Sequence, residues 1–423
     1  AGEKFQASKD DLVHFRTLHS FALRHLPVDE NNLMKTKHWK LLSSIIGFDL
    51  VLDSTAESIY SNTNHPYINL INIARLKNIS LKEAWNVSSQ TINWSKLDYL
   101  NRCINEFKKE NELFDFTDMI VDYTKDSYVT NFDVLFIDEA QDMPPIQYDM
   151  VEKLISNSKE TFIAGDDDQA IFRWSGADVD RFINLKGNVT VLDKSYRCPK
   201  RVHRLANFII TKVKNRRNKQ WSPKDEDGKV YRHASLKHID FSKGNWLVLG
   251  RTKKIRKDII ENFFLEQGYW FGQGDKRPVA QSVIDAIFTW KRLKSGQQIN
   301  LKSAKNLYSK IKSQTKESSI GIKRGFKQLK NTSDDDMFTM KNLKENHGLL
   351  SDGDWYDVLD NVDGRDLTYI RRLEQIGEKI DGDPRIKVST IHMAKGGECD
   401  NVVVLTHYRT TKKIRLQNLW QRN

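Results

Sequence analysis

The 423-residue chain is too long for one hydrophobic core and suits two to four domains. A hydrophobic content of 39% with 10% aromatics excludes an intrinsically disordered chain. Lys plus Arg exceed Asp plus Glu by 68 − 56 = 12, a surplus that nucleic-acid binders share with proteins carrying only a solvated basic face.

Cys103, Cys198 and Cys399 are scattered without CxxC spacing, which argues against a disulfide framework or a zinc site and for a reducing compartment. The opening AGEKFQASKDD is polar, and no apolar run approaches the ~20 residues of a membrane span. A soluble, cytoplasmic protein is therefore expected.

In chain order, FRTLHSFALRHL (residues 15–26) sets Thr17, His19 and Ser20 just before an apolar helical run. Hydroxyls there serve as helix caps, and a helix start also suits a phosphate group. Residues 30–120 read as mainly helical; Leu97, Leu100, Ile104 and Phe107 recur at helical spacing. Short apolar runs then follow at Val134–Ile137, Thr161–Ala164, Val189–Leu192, Trp246–Leu249, Ile386–Val388 and Val402–Leu405. Runs of this length, rich in Val, Ile and Leu and not alternating, predict buried strands of a parallel α/β sheet. Their C-terminal ends are then the expected places for ligand chemistry.

The first run ends in Asp138-Glu139, within VLFIDEAQDMPP. An aspartate there suits Mg²⁺ held through its water shell, and the following glutamate can orient and deprotonate an attacking water. Two solvated acids at a strand end are the plainer alternative. After the second run, AGDDDQAIFRWSGAD (residues 164–178) offers Gln169 as a neutral sensor of a terminal phosphate. Phe172 and Trp174 can stack unpaired bases or anchor the core. The third run leads into LDKSYRCP, where Arg197 can neutralise a transferred phosphoryl group and Tyr196 can stack on adenine. An ion pair for Arg197 and a packed ring for Tyr196 remain open.

Residues 285–382 are again helix-like, with nine Lys or Arg against one Glu between Leu301 and Lys330. Finally, VSTIHMAKGGECDNVVVL (residues 388–405) sets Thr390, His392, Lys395 and Glu398 between two strands. His, Lys and glycine amides at a turn can track a phosphodiester backbone, and Glu398 can accept from a ribose hydroxyl.

Together, FRTLHSFA, FIDEAQD, GDDDQAIFRWSGAD, SYRCP and STIHMAKGGECD resemble the UvrD/Rep type of superfamily 1 DNA helicase, in that family's order and across nearly the whole chain. The resemblance implies an α/β fold of two RecA-like parallel-sheet domains of the P-loop NTPase type, each with a mainly helical insertion. Residues 1–29 and 121–195 would form core 1A, and 30–120 its insertion 1B. Residues 196–284 and 383–423 would form core 2A, and 285–382 the basic insertion 2B. It implies ATP and Mg²⁺ as cofactors, with Asp138 assisting the metal and Glu139 as catalytic base. Gln169 and Arg197 would contact the γ-phosphate, Tyr196 would stack on adenine, and Glu398 would hold the ribose. Thr17, His19, Ser20, Phe172, Trp174, Thr390, His392 and Lys395 would line the single-strand DNA track. Implied partners are single-stranded DNA, single-strand/duplex junctions, and accessory repair or replication proteins. The implied activity is 3′-to-5′ translocation with unwinding.

Two family elements are absent from the 423 residues. No GxxxxGK[ST] phosphate loop occurs, since only Gly228 among the twenty-one glycines precedes a lysine, Lys229. The late motif with a second catalytic arginine is missing too. The chain therefore reads as a fragment of a longer helicase, inactive alone. The rival readings are a non-motor DNA-binding subunit of helicase fold and the motor part of a RecB- or AddA-like helicase–nuclease.

Overall fold

The computed structural model describes residues 14–50, 65–88, 91–126, 130–315, 320–329, 332–380 and 382–406. The polar opening stretch, residues 407–423, and Lys316 and Lys330 of the basic stretch lie outside the described residues. The chain divides into two compact units, Ala1–Val230 and Tyr231–Asn423.

The first unit begins with helices that have local reasons to start. For α1 (Leu18–His25), the Thr17 hydroxyl accepts from Ser20 N–H at 3.2 Å. Helices α2 (Thr36–Ile46), α3 (Pro66–Leu76), α4 (Leu81–Val87) and α5 (Trp94–Glu110) fill the region expected to be helical. Leu97, Leu100, Ile104 and Phe107 all lie on the buried stripe of α5, in a core of their own with Leu42, Ile68 and Ile71. α6 (Phe116–Lys125) starts at Asp115, whose carboxylate accepts from both Thr117 N–H and Asp118 N–H.

β1 (Phe132–Ile137), α7 (Pro145–Ile155) and β2 (Ser158–Ile163) form a β-α-β unit. A parallel pair needs such a crossover, and Pro145 suits the first helical turn, where no N–H is required. The strands pair from Phe132↔Ser158 to Ile137↔Ile163. One sheet face packs on the helical core, whereas the other leaves Phe136 74% and Phe162 51% exposed, their rings stacked at 5.0 Å. These strands are parallel, as expected, but among the described residues they are covered on one side only.

After the short helix α8 (Val179–Ile183), the run Val189–Leu192 is not a strand. It has no regular structure and is exposed, and the strand β3 forms at Lys194–Pro199. The correction has a plain cause: a strand needs a ladder partner, and β4 (Ser222–Lys224) lies opposite Lys194 and Pro199. Between them, α9 (Lys200–Ile210) is amphipathic in sequence, yet no residue of it is buried.

The second unit is built on a four-stranded parallel sheet. Its strands are β5 (Trp246–Gly250), β6 (Phe271–Gly272), β9 (Ile386–Thr390) and β10 (Asn401–Val404), in the order β10-β5-β9-β6. A two-residue antiparallel pair, β7 (Ile299–Asn300) and β8 (Met337–Phe338), lies within residues 285–382. Helices α10 (Gln281–Lys294), α11 (Leu301–Ser309), α12 (Met340–Asn346), α13 (Trp355–Val358) and α14 (Gly364–Gln375) share one core with the sheet. That core joins Val248 and Val388 of the strands to Ile287, Trp290, Leu307 and Ile370 of the helices. Within residues 30–120 one cluster from Met34 to Phe107 stands by itself, while Leu76, Phe114, Met119 and Ile120 join Phe21 and Ile146; the helices of residues 285–382 share the core of their sheet.

Candidate active site

In the first unit the site grows from the adjacent C-terminal ends of β1 and β2. Ala164 N–H donates to Ile137 O at 2.7 Å, and Ala140 N–H to Ala164 O at 3.0 Å, which fixes the two strand ends side by side. Asp138 and Glu139 are both exposed there. Asp138 Oδ1 accepts from Glu139 N–H at 2.8 Å, and Glu139 takes the left-handed backbone, φ +54°, which is rare for a side-chain-bearing residue. This sharp turn ends the strand and lets neighbouring carboxylates project differently.

Sequence reasoning missed Gln141, although it stands two residues after Glu139. It is 1% exposed. Its Nε2 donates to Glu139 Oε2 at 2.6 Å, and its Oε1 accepts from Asp166 N–H at 2.9 Å. Gln141 thus fixes the Glu139 carboxylate against the turn that follows β2. Gly165 makes room for this bridge, because a Cβ there would sit 2.5 Å from Gln141 Oε1 and 2.8 Å from the Phe182 ring.

The turn Asp167–Gln169 carries Gln169 exposed, with its Nε2 donating to Asp166 Oδ2 at 2.6 Å. Burial opposes charge on Asp166, but hydrogen bonds from Lys219 and Gln169 outweigh it and hold the carboxyl below its usual range. Downstream, Phe172 is half-buried and its carbonyl accepts from Ser175 N–H at 3.0 Å, while Trp174 is 46% exposed. Of the two aromatics, Trp174 is the one presenting a face outward.

Tyr196 and Arg197 lie exposed on β3, with Lys194 Nζ 5.6 Å from the Tyr196 ring centre. At the start of α1, Thr17 is the cap and Ser20 supplies the capped N–H. His19 packs edge-on against Phe116 at 5.8 Å. Burial lowers its pKa to about 4, partly opposed by Asp115, so it is neutral at pH 7.

The second unit holds the remaining candidates at the C-terminal ends of β5 and β9. Thr390 is 5% exposed and its hydroxyl accepts from Met393 N–H at 3.3 Å, so that group shapes the following turn. The turn runs through His392 and Lys395 to Gly396, whose φ of +79° suits a residue without Cβ. Glu398 is exposed beyond it. Gly250 is in register with Thr390, and Ile391 N–H donates to Gly250 O at 3.0 Å, so Arg251 follows at the same sheet end. Burial lowers the His392 pKa, and the nearby Arg251 charge lowers it further. Arg251 is a second group that sequence reasoning missed; its signal was the glycine-arginine step closing an apolar strand.

Among the described residues no cluster of three or more His, Cys, Asp or Glu side chains has the arrangement of a metal site. The exposed carboxylate of Asp138 nevertheless fits Mg²⁺, which keeps much of its water shell and takes one or two carboxylates alongside phosphate oxygens. No described helix is long and apolar enough to cross a membrane.

Residues 3–190 match the model of the UvrD/REP helicase N-terminal domain. The ATP-dependent DNA helicase PcrA of Bacillus subtilis is 32% identical over 136 residues, covering 29% of this chain and 18% of that protein. PcrA of Staphylococcus aureus is 24% identical over 260 residues, covering 56% of this chain and 35% of that protein. PcrA of Staphylococcus epidermidis gives the same identity over the same length. The matched part of the chain thus spans 18% to 35% of these curated relatives.

Proposed function

We propose, for a chain that belongs through residues 3–190 to the UvrD/Rep type of superfamily 1 helicases, that it works as part of a longer ATP-dependent DNA helicase. The parent translocates 3′ to 5′ on single-stranded DNA and opens duplexes at junctions, in the cytoplasm and alongside accessory repair or replication proteins. The observation that carries this reading is the paired strand ends of β1 and β2, which join Asp138-Glu139 to the Gln169 turn through buried Gln141. The parallel pair β1-β2 and the four-stranded parallel sheet support two RecA-like cores, taken as 1–29 with 121–195 and 196–284 with 383–423. Residues 196–230 nevertheless fall within the first compact unit. Residues 30–120 and 285–382 are then the insertions, the basic second one facing duplex DNA.

The chemistry asked of these residues is modest. Phosphoryl transfer to water needs an oriented nucleophile, charge neutralisation and little covalent help. Glu139, its carboxylate fixed by Gln141, accepts a proton from the attacking water. Asp138 would hold Mg²⁺, which when bound would supply neutralisation of phosphate charge. Gln169 and Arg197 contact the γ-phosphate, Tyr196 stacks on adenine, and Glu398 holds the ribose. Trp174, with Phe172, offers base platforms. Thr17, His19, Ser20, Thr390, His392 and Lys395 line the strand's path, with Arg251 beside His392. Thr17 and Thr390 contribute chiefly by shaping their turns, and neutral His19 by packing and hydrogen bonding.

The test has two arms. The 423-residue chain should bind a labelled oligo(dT), and Trp174→Ala should weaken that binding about tenfold, since base–aromatic stacking is worth ~1–3 kcal/mol. It should not hydrolyse ATP, because its sequence has no phosphate loop. The full-length protein should show DNA-stimulated hydrolysis that Glu139→Gln abolishes. Hydrolysis by the 423-residue chain itself, lost in Glu139→Gln, overturns the partial-motor reading. Full-length protein that binds DNA without ever hydrolysing ATP points to the non-motor alternative.

A further inference from the structure

Thr17 and His19 belong to the expected path of the strand, yet the fold itself uses both. The Thr17 hydroxyl caps α1, and the neutral His19 ring packs on Phe116. Neither brings positive charge to a phosphate at pH 7. The charge on this stretch sits on Arg16 and Arg24 instead.

Beside α1 lies a surface groove of about 350 Å³, lined by Arg16, Ser20, Leu23, Arg24, Val28 and Glu30. Ser20 and Arg24 are one helical turn apart, ~6 Å along the axis, and both are exposed. Arg16 stands half-buried two residues before the first turn, and the groove brings it together with the other two. Among the described residues Arg24 forms no ion pair, so its guanidinium is available to a ligand oxygen. The positive end of the α1 dipole lies at the same stretch and favours an anion there. Leu23 and Val28 give the groove an apolar side suited to a sugar. Glu30 is the one acid in the lining and opposes a phosphate.

We propose that Arg16, Ser20 and Arg24 hold the phosphate backbone of a single nucleic-acid strand along this groove, the arginines by charge and Ser20 by its hydroxyl. The inference rests on the single-strand DNA reading above. It assigns the charged contacts of this stretch to two residues outside the expected set. Such contacts position a strand without reading its bases, and they set affinity and its dependence on salt. A merely solvated basic face behaves otherwise, because its cations are interchangeable with any other exposed one.

Anisotropy of labelled oligo(dT) on the 423-residue chain, followed from about 50 to 200 mM salt, tests this. Arg24→Gln should lower the slope of log affinity against log salt by about 0.7, the value for one phosphate of a single strand. The double variant Arg16→Gln with Arg24→Gln should lower it by about 1.4. Arg24→Lys should return the slope to wild type, since counterion release counts charge. Glu30→Gln should tighten binding about twofold. Arg102→Gln, which removes an exposed cation on α5, should leave the slope unchanged. The losses should be the same on oligo(dA), because no base is read. An unchanged slope in the double variant, or an equal drop in Arg102→Gln, overturns the groove. If binding still depends on Trp174 in that case, the groove falls alone. A wild-type chain that fails to bind oligo(dT) overturns the single-strand reading and the groove with it.

Discussion

Gln141 shows how much one buried amide carries. With both ends of its side chain bonded, replacement by Leu leaves the Asp166 N–H unsatisfied and the Glu139 carboxylate unheld. Gln141→Leu is expected to cost about 1–3 kcal/mol in urea unfolding, the penalty of a buried donor without a partner. Gly165→Ala should cost a similar amount, because its Cβ would overlap the same amide and Phe182, and overpacking costs about 1–3 kcal/mol. His19 supplies a pH effect. Its folded pKa, about 4, lies below the ordinary value of 6.5, so the native state binds fewer protons than the unfolded one. Its contribution is complete above about pH 6.5 and is lost as pH falls toward 4. Melting temperatures followed from pH 7 to 4.5 should therefore drop less in His19→Gln than in wild type. Equal slopes in the two proteins contradict this.

Elements succeed or fail according to what they pack against. α3 and α5 are tied to α6 by Arg75 and Lys108, which share Asp115 and Asp118 at 2.5–3.0 Å. Burial opposes charge on Asp115, yet Arg75 and Lys108 outweigh it and hold the carboxyl well below the usual range. Lys108→Met leaves Asp115 and Asp118 to Arg75 alone and should destabilise the first unit by about 1–3 kcal/mol, the loss of hydrogen bonds to charged groups. A chemical melt within 1 kcal/mol of wild type would refute that. At this scale the sequence was readable wherever the signal was local. The stripe on α5, the cap at Thr17, and five of six strand positions follow from spacing and side-chain type. Val189–Leu192 was not readable, because an apolar run becomes a strand only when a ladder partner lies opposite. α9 has the pattern of a packed helix, but no residue of it is buried.

At the scale of the whole molecule, the hydrophobic clusters of the first unit lie between Met34 or Phe21 and Phe182, and that of the second between Leu236 and Val388. Among the described residues, each of these clusters draws on one unit alone. Between them, Lys229 to Ser235 is exposed. Unfolding should accordingly depart from two-state behaviour. Trypsin should cut early at Lys229 or Arg232, leaving two fragments that keep their helical circular dichroism. A single cooperative transition with coincident probes counts against this division. What the sequence by itself determined are the chemical identities and local shapes: carboxylates, glutamine and arginine at strand ends, helices with their caps, and the resemblance of residues 3–190 to the UvrD/REP helicase N-terminal domain. Those are encoded over a few residues by charge, hydrogen-bonding type and periodicity. Only the tertiary structure decided which groups act on each other. The Gln141 bridge, the neutral state of His19, the turn-shaping role of Thr390 and the grip of Lys219 on Asp166 depend on burial and on contacts between segments distant in sequence. No short window of the chain encodes those distances.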